Sequence, residues 1–153
     1  CWITAGCGFQ PLYGARKNNP VVKEFAYVHV APIKDRIGQQ LRNEILNRLH
    51  SSAKKNRHKY ELVTTLNEGI QALAVRKSAF ATRANLTVTA TFHLIAEDND
   101  EPVLSAIEKT TVSYNILDSE FATLIAQNDA QKRAIESLGK DIVVRLAVFF
   151  NRQ

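Results

Sequence analysis

Asn85-Leu86-Thr87-Val88-Thr89-Ala90-Thr91-Phe92-His93-Leu94-Ile95-Ala96 alternates strictly between two kinds of side chain. Leu86, Val88, Ala90, Phe92, Leu94 and Ala96 fall on one face, and Asn85, Thr87, Thr89, Thr91 and His93 on the other. Ile95 alone breaks the pattern. A period of two over this length predicts a β-strand with one face in the core and one face in water. Everything else must supply neighbours for this strand and a cover for its apolar face.

The neighbours follow on both sides. Asp98-Asn99-Asp100 is a turn signal, and Val103 to Ile116 reads as the strand that returns from it. Upstream, Tyr60, Leu62, Thr64 and Leu66 alternate with Glu61, Val63 and Thr65. That strand is expected to run past Gly69 to Val75, with the glycine at a bulge. A further strand is expected from Glu24 to Ala31, on the run Phe25-Ala26-Tyr27-Val28-His29-Val30, with Pro32 ending it.

Two stretches with helical spacing supply the cover. Asp35 offers an N-cap, and Ile37, Leu41, Ile45 and Leu49 follow at intervals of four with Leu46 beside them. The second begins at Asp118 or Ser119 and carries Phe121, Ile125, Ala130, Ile135, Leu138, Ile142, Leu146 and Phe149. Gly139 interrupts it, at a cost of about 1 kcal/mol relative to alanine. The element order is β-α-β-β-β-α. It predicts an α+β two-layer sandwich, with two helices on one face of a four-stranded mixed sheet. A parallel pairing of the first two strands requires a right-handed crossover through the first helix. The threonine-rich second face is left open, either to water or to a partner.

The chain has 153 residues, enough for one domain with a real core. Apolar residues make up 45% and charged residues 23%, as in ordinary globular proteins. No apolar run approaches the roughly 20 residues of a membrane span. The net charge of +5 suits anionic partners, although a mildly basic solvated surface is the commoner meaning. Lys54, Lys55, Arg57, His58 and Lys59 form one basic cluster, expected in a loop. No aromatic RNP strand or basic recognition helix is present, so nucleic acid is not an expected partner.

Catalytic and metal-binding patterns are missing. His29, His50, His58 and His93 are scattered and lack an H-E-x-x-H or paired-cysteine context. Ser105 and Ser113 lack a nucleophile elbow, and no glycine-rich phosphate loop occurs. Asp98, Asp100 and Glu101 are better explained by turn chemistry than by a divalent ion. Neither an enzyme nor a cofactor is expected. Arg76, Lys77 and Arg83 surround the junction before the alternating strand. There they could grip phosphate, or simply decorate a solvated hairpin.

The beginning of the chain is informative in another way. Thr4-Ala5-Gly6-Cys7 reads like the end of a lipoprotein signal, although Thr4 stands where a leucine is usual. Those residues alone fit a chance small-small-cysteine sequence equally well. Residues 8–153 contain no cysteine, so no disulfide frames the domain. Pro11, Gly14, Asn18, Asn19 and Pro20 punctuate a stretch that reads as a tether. The expected organisation is a signal-peptide remnant at 1–6, a lipidated N-terminus and tether at 7–23, and one α+β domain at 24–153.

The segment Cys7-Gly8-Phe9-Gln10-Pro11-Leu12-Tyr13-Gly14 resembles the mature start of the LPS-assembly lipoprotein family LptE, as found in alphaproteobacteria. Leu41-Arg42-Asn43, Thr82-Arg83 and Ser113-Tyr114-Asn115 are also similar to that family, and less specifically Asp129-Ala130 and Asp141-Ile142. The resemblance implies an outer-membrane lipoprotein on the periplasmic face, anchored through acylated Cys7. It implies a plug inside the LptD β-barrel that binds lipopolysaccharide (LPS) during its export, and a fold of helices on a small mixed sheet. It places an LPS-binding basic residue at Arg76, with Lys77 and Arg83 as neighbours. A second basic position of the family falls near Gln127, which is uncharged. The alternative is another outer-membrane scaffold lipoprotein without LPS contact.

Overall fold

Phe92, Leu41, Ile45, Leu62, Leu86, Leu94, Leu138, Ile142 and Leu146 have essentially no solvent contact, and they come from two helices and two strands. They mark the seam between two layers in the computed structural model, which describes residues 20–49, 58–73, 82–99 and 101–152. The elements are α1 (Pro20–Phe25), β1 (Val28–Val30), α2 (Asp35–Leu49), β2 (Tyr60–Leu73), β3 (Arg83–Ala96), β4 (Pro102–Asn115) and α3 (Glu120–Phe150). The strands lie in the order β1-β2-β3-β4. β1 is parallel to β2, and the other two pairs are antiparallel. The α+β sandwich expected from the sequence is the observed one, with α1 added before it.

β3 is buried at every second residue, as its alternation requires. Its core face meets Leu62, Thr64 and Leu66 of β2 and Leu104, Ala106 and Val112 of β4 in register. The Ile95 irregularity has a structural counterpart. Leu94 pairs with Leu104 but Ile95 pairs with Pro102, so Val103 is an extra residue at a bulge. The bulge expected at Gly69 is absent: Gly69 pairs with Thr87 in an unbroken register. The extension of β2 to Val75 lies outside the described residues.

The first strand is shorter than its composition suggests. Glu24 and Phe25 end α1 instead of opening β1. Phe25 is drawn into an edge-to-face contact with Phe150, at 6.1 Å between ring centroids, which a strand alternation at that position would not give. The expected tether is correspondingly shorter, because Pro20 to Lys23 belong to α1.

α2 buries Gly38, Leu41, Ile45 and Leu49, as its four-residue spacing demands. Asp35 opens it at φ 66°, in the left-handed region that a short polar side chain tolerates. Ser119 caps α3 and its side chain accepts from Ala122 N at 3.4 Å. The two helices run side by side in the same direction. Arg36 donates to Asn128 Oδ1 at 3.2 Å near their N-terminal ends, and Arg48 to the Glu136 carbonyl at 3.4 Å further along. Gly139 sits at a close approach of the two: a Cβ there would lie 2.6 Å from Glu44 Cγ. The helix-propensity cost of that glycine is offset by the close packing it permits. On the outer edge, Arg42 Nε donates to the Val30 carbonyl at 3.1 Å and satisfies one acceptor of β1.

Two outcomes are expected from this core. Phe92→Ala empties the middle of the seam and should lower stability by about 3–5 kcal/mol, read as a shift in the denaturant midpoint. Thr64 is 7% exposed, and its hydroxyl has no hydrogen-bond partner among the described residues. Thr64→Val keeps the shape and removes the orphan, so it should raise stability by about 1 kcal/mol. A lower midpoint for Thr64→Val would show that the hydroxyl is satisfied.

Candidate functional site

α3 has 31 residues and α2 has 15. Because Arg36, in the first turn of α2, already reaches Asn128, the first two turns of α3 extend past the end of α2. At 1.5 Å per residue the overhang is about 12 Å. Phe121, Leu124 and Ile125 lie on this overhang and are 72%, 53% and 53% exposed. They precede Asn128 by seven, four and three residues, which puts them on the side of α3 that faces α2 further along. Leu117 and, on the end of β2, Ile70 are about half exposed at the same pole. The overhang is well tied down. The Thr123 hydroxyl accepts from Leu117 N at 2.9 Å and donates to the Leu117 carbonyl at 3.1 Å.

Arg83 opens β3 at this pole, opposite Leu73 on one side and Asn115 on the other. It is exposed and shares the parity of Asn85 and Thr87, so it belongs to the open face of the sheet. One cation thus stands at a pole that also presents a stripe of large apolar side chains. Arg76, Lys77 and Cys7 lie outside the described residues, so of the expected site residues the structure places Arg83 alone.

The open face itself is knitted by side chains. Ser113 donates to Asn85 Oδ1 at 2.7 Å, Thr87 and Thr111 hydroxyls meet at 3.1 Å, and His93 Nδ1 meets Ser105 Oγ at 2.8 Å. These pairs give His93, Ser105 and Ser113 cross-strand structural partners. The turn expected around Asp98 forms through Asn99 N to the Ala96 carbonyl at 3.0 Å, and Glu101 N donates to Asn99 Oδ1 at 3.3 Å. Among the described residues no group of three or more His, Cys, Asp or Glu side chains could hold a metal. Among the described residues no helix is long and apolar enough to cross a membrane.

The apolar overhang is the part of this pole that sequence reasoning missed. Phe121 and Ile125 were expected to continue the core stripe of the last helix, and both are exposed. The signal that could have found them is length. A helix of about four turns cannot cover one twice as long, so one end of the longer helix must be left bare.

The family model for lipopolysaccharide assembly, LptE, matches residues 25–146, from the end of α1 into the last turns of α3. The chain belongs to the LptE family. It is an LPS-assembly lipoprotein of a family associated with the outer membrane, and that family is not enzymatic. Solved structures of lipoproteins share the fold. A candidate lipoprotein from Caulobacter crescentus CB15 is similar at a TM-score of 0.70 and 22% identity, covering 87% of this chain and 97% of its own. The rare lipoprotein B from Shewanella oneidensis is similar at 0.61 and 9% identity, covering 80% and 92%. A minor lipoprotein from Acinetobacter baumannii is similar at 0.55 and 14% identity, covering 84% and 95%. At these identities the likeness concerns the fold. No functionally curated protein matches the sequence.

The exposure of the overhang makes a direct prediction for this LptE-family chain. Phe121→Ser combined with Ile125→Ser should change stability by no more than about 0.5 kcal/mol, as for surface positions generally. Ile135→Ser, one stripe further along the same helix and 4% exposed, should be strongly destabilising. Denaturant midpoints of the two variants decide it. Similar losses in both would place Phe121 in a packed environment.

Proposed function

We propose that this chain is the lipid-anchored partner of an LptD-type outer-membrane β-barrel, that it plugs the barrel, and that it binds LPS at the periplasmic face during assembly. The observation that carries this reading is the LptE family match across nearly the whole described domain. Cys7 is the proposed lipid attachment site. Each buried lipid methylene contributes roughly 0.8 kcal/mol, so two or three acyl chains hold the protein at the membrane without a spanning helix.

The proposed LPS contact is the pole around Arg76, Lys77 and Arg83. Lipid A is an amphiphile with phosphates on a sugar backbone and several acyl chains. Arginine forks bind phosphate bidentately, and a lysine adds a point charge. The exposed Phe121, Leu124 and Ile125 give the same pole an apolar component that a purely anionic ligand would not use.

The reading is tested in three measurements. Exposed ion pairs contribute only about 0–1 kcal/mol each, so the probe is the triple variant Arg76→Glu/Lys77→Glu/Arg83→Glu. Its LPS affinity should fall well below wild type, and wild-type binding should weaken with added salt as surface charges are screened. Equal affinities, insensitive to salt, would place the LPS surface elsewhere. The barrel of the same organism should co-purify with the wild-type protein. Barrel binding without any LPS binding would favour a scaffold lipoprotein. Palmitate-analogue labelling should be present in the full-length protein and lost in Cys7→Ala.

A further inference from the structure

His29 and His58 are far apart in sequence, and the fold sets them side by side. Their ring centroids are 4.8 Å apart and the ring planes are inclined by 42°. β1 buries Val28 and Val30, so His29 between them belongs to the open face of the sheet, where it is half-buried. His58 precedes β2 and is exposed. Its position is held through the next residue. Lys59 N donates to the Tyr27 carbonyl at 3.0 Å, and the Lys59 carbonyl accepts from Glu97 N at 2.9 Å. The Lys59 ammonium stands 4.6 Å from the centre of the Tyr27 ring and 3.7 Å from Glu24 Oε2. Backbone and side chain of Lys59 together fix the approach of His58 to β1.

Neither ring belongs to the buried core, and among the described residues neither imidazole has a hydrogen-bond partner. Each neutral ring therefore keeps a nitrogen lone pair to offer. The spacing is that of two imidazoles sharing one metal ion. A zinc–nitrogen bond of about 2.0–2.1 Å in the ring plane sets the ring centroid about 3.2 Å from the ion. Angles of roughly 90–110° at the ion then separate the two centroids by about 4.5–5.2 Å. The observed 4.8 Å lies inside that interval. Converging the lone pairs asks only for rotation about the last torsion of each side chain, which is soft for histidine. Glu61 pairs in register with His29 and lies on the same open face, so it adds negative charge beside the pair. The charge of Lys59 is already matched by Glu24.

We propose that His29 and His58 chelate a divalent transition ion of the zinc or copper class, with water in the remaining positions. Imidazole nitrogen suits such ions, whereas magnesium and calcium take oxygen ligands. The pair is smaller than the clusters of three or more ligands that are missing among the described residues, so it is a two-point chelate and not an enclosed metal centre. The ion joins β1 to the approach of β2. β1 meets the sheet through three register pairs, so a link here secures the strand with the shortest ladder. The site stands at the opposite end of β2 from Leu73, the partner of Arg83, and so does not draw on the proposed LPS pole.

The test uses the full chain with Cys1→Ser and Cys7→Ser, because free thiols bind zinc themselves. Titration calorimetry with Zn²⁺ should give one saturable site with a Kd below about 1 mM. The thermal midpoint should rise with Zn²⁺, as for any ligand of the folded state alone. Ring proton resonances of His29 and His58 should shift together, and those of His93 should stay. Acid should weaken binding, since ion and proton compete for the same nitrogens. His29→Ala and His58→Ala should each lower the affinity at least about tenfold, because the second imidazole acts at a high effective concentration. His58→Phe keeps a ring against His29 and removes the ligand atom. It should retain the metal-free midpoint and lose the zinc response, while His93→Ala keeps both. Absence of a saturable site, undiminished affinity in His58→Phe, or an equal loss in His93→Ala would each overturn the proposal.

Discussion

Leu86, Val88, Ala90, Phe92 and Leu94 are sealed from water while the residues between them are not. That one-sided burial is the constraint on which the rest of the architecture rests. A sheet with one apolar face needs a single cover, and two helices side by side provide it. The helices must approach closely to cover so narrow a sheet, and Gly139 against Glu44 is where they do. The other face has no such demand. Thr87 bonds to Thr111, Asn85 to Ser113 and His93 to Ser105 across the strands, and the result is a polar surface with internal bonding of its own.

The period-two pattern of β3 and the four-residue spacing of α2 were sufficient to place the core, because both report burial directly. Leu41, Ile45 and Leu49 are buried in one core cluster with Leu86, Val88 and Phe92, as their periodicities require. The failures have physical causes. Phe25 looks like a strand residue by composition, but its contact with Phe150, far away in sequence, sets its conformation. Gly69 suggested a bulge by its lack of a side chain, whereas the actual bulge follows Pro102, which cannot donate to a ladder. Phe121 and Ile125 continue the helical spacing perfectly well. Nothing in spacing alone reveals that the neighbouring helix has already ended.

The candidate site was legible to a lesser degree. Family likeness was readable in short motifs, and the match across residues 25–146 carries it through the domain. Arg83 was singled out by charge, and it does stand at the pole of the sheet, on the open face. The apolar partner of that charge was hidden, because it comes from an element that reads as core. The proposed amphiphile contact needs both kinds of surface together, and only the fold brings the start of α3 beside the start of β3.

The mixed sheet also dictates an order of events in folding. β2, β3 and β4 are consecutive and antiparallel, so each pairs with a neighbour separated from it by one short connection. β1 pairs in parallel with β2 across the whole of α2, and that closure must be made before its few contacts contribute. β1 is synthesised ahead of its partner and must wait for it. The meander with α3 is therefore the natural nucleus, and the three residues of β1, with α1 behind them, dock last. The segment through which a lipid anchor at Cys7 would connect is then the final part of the domain to become fixed.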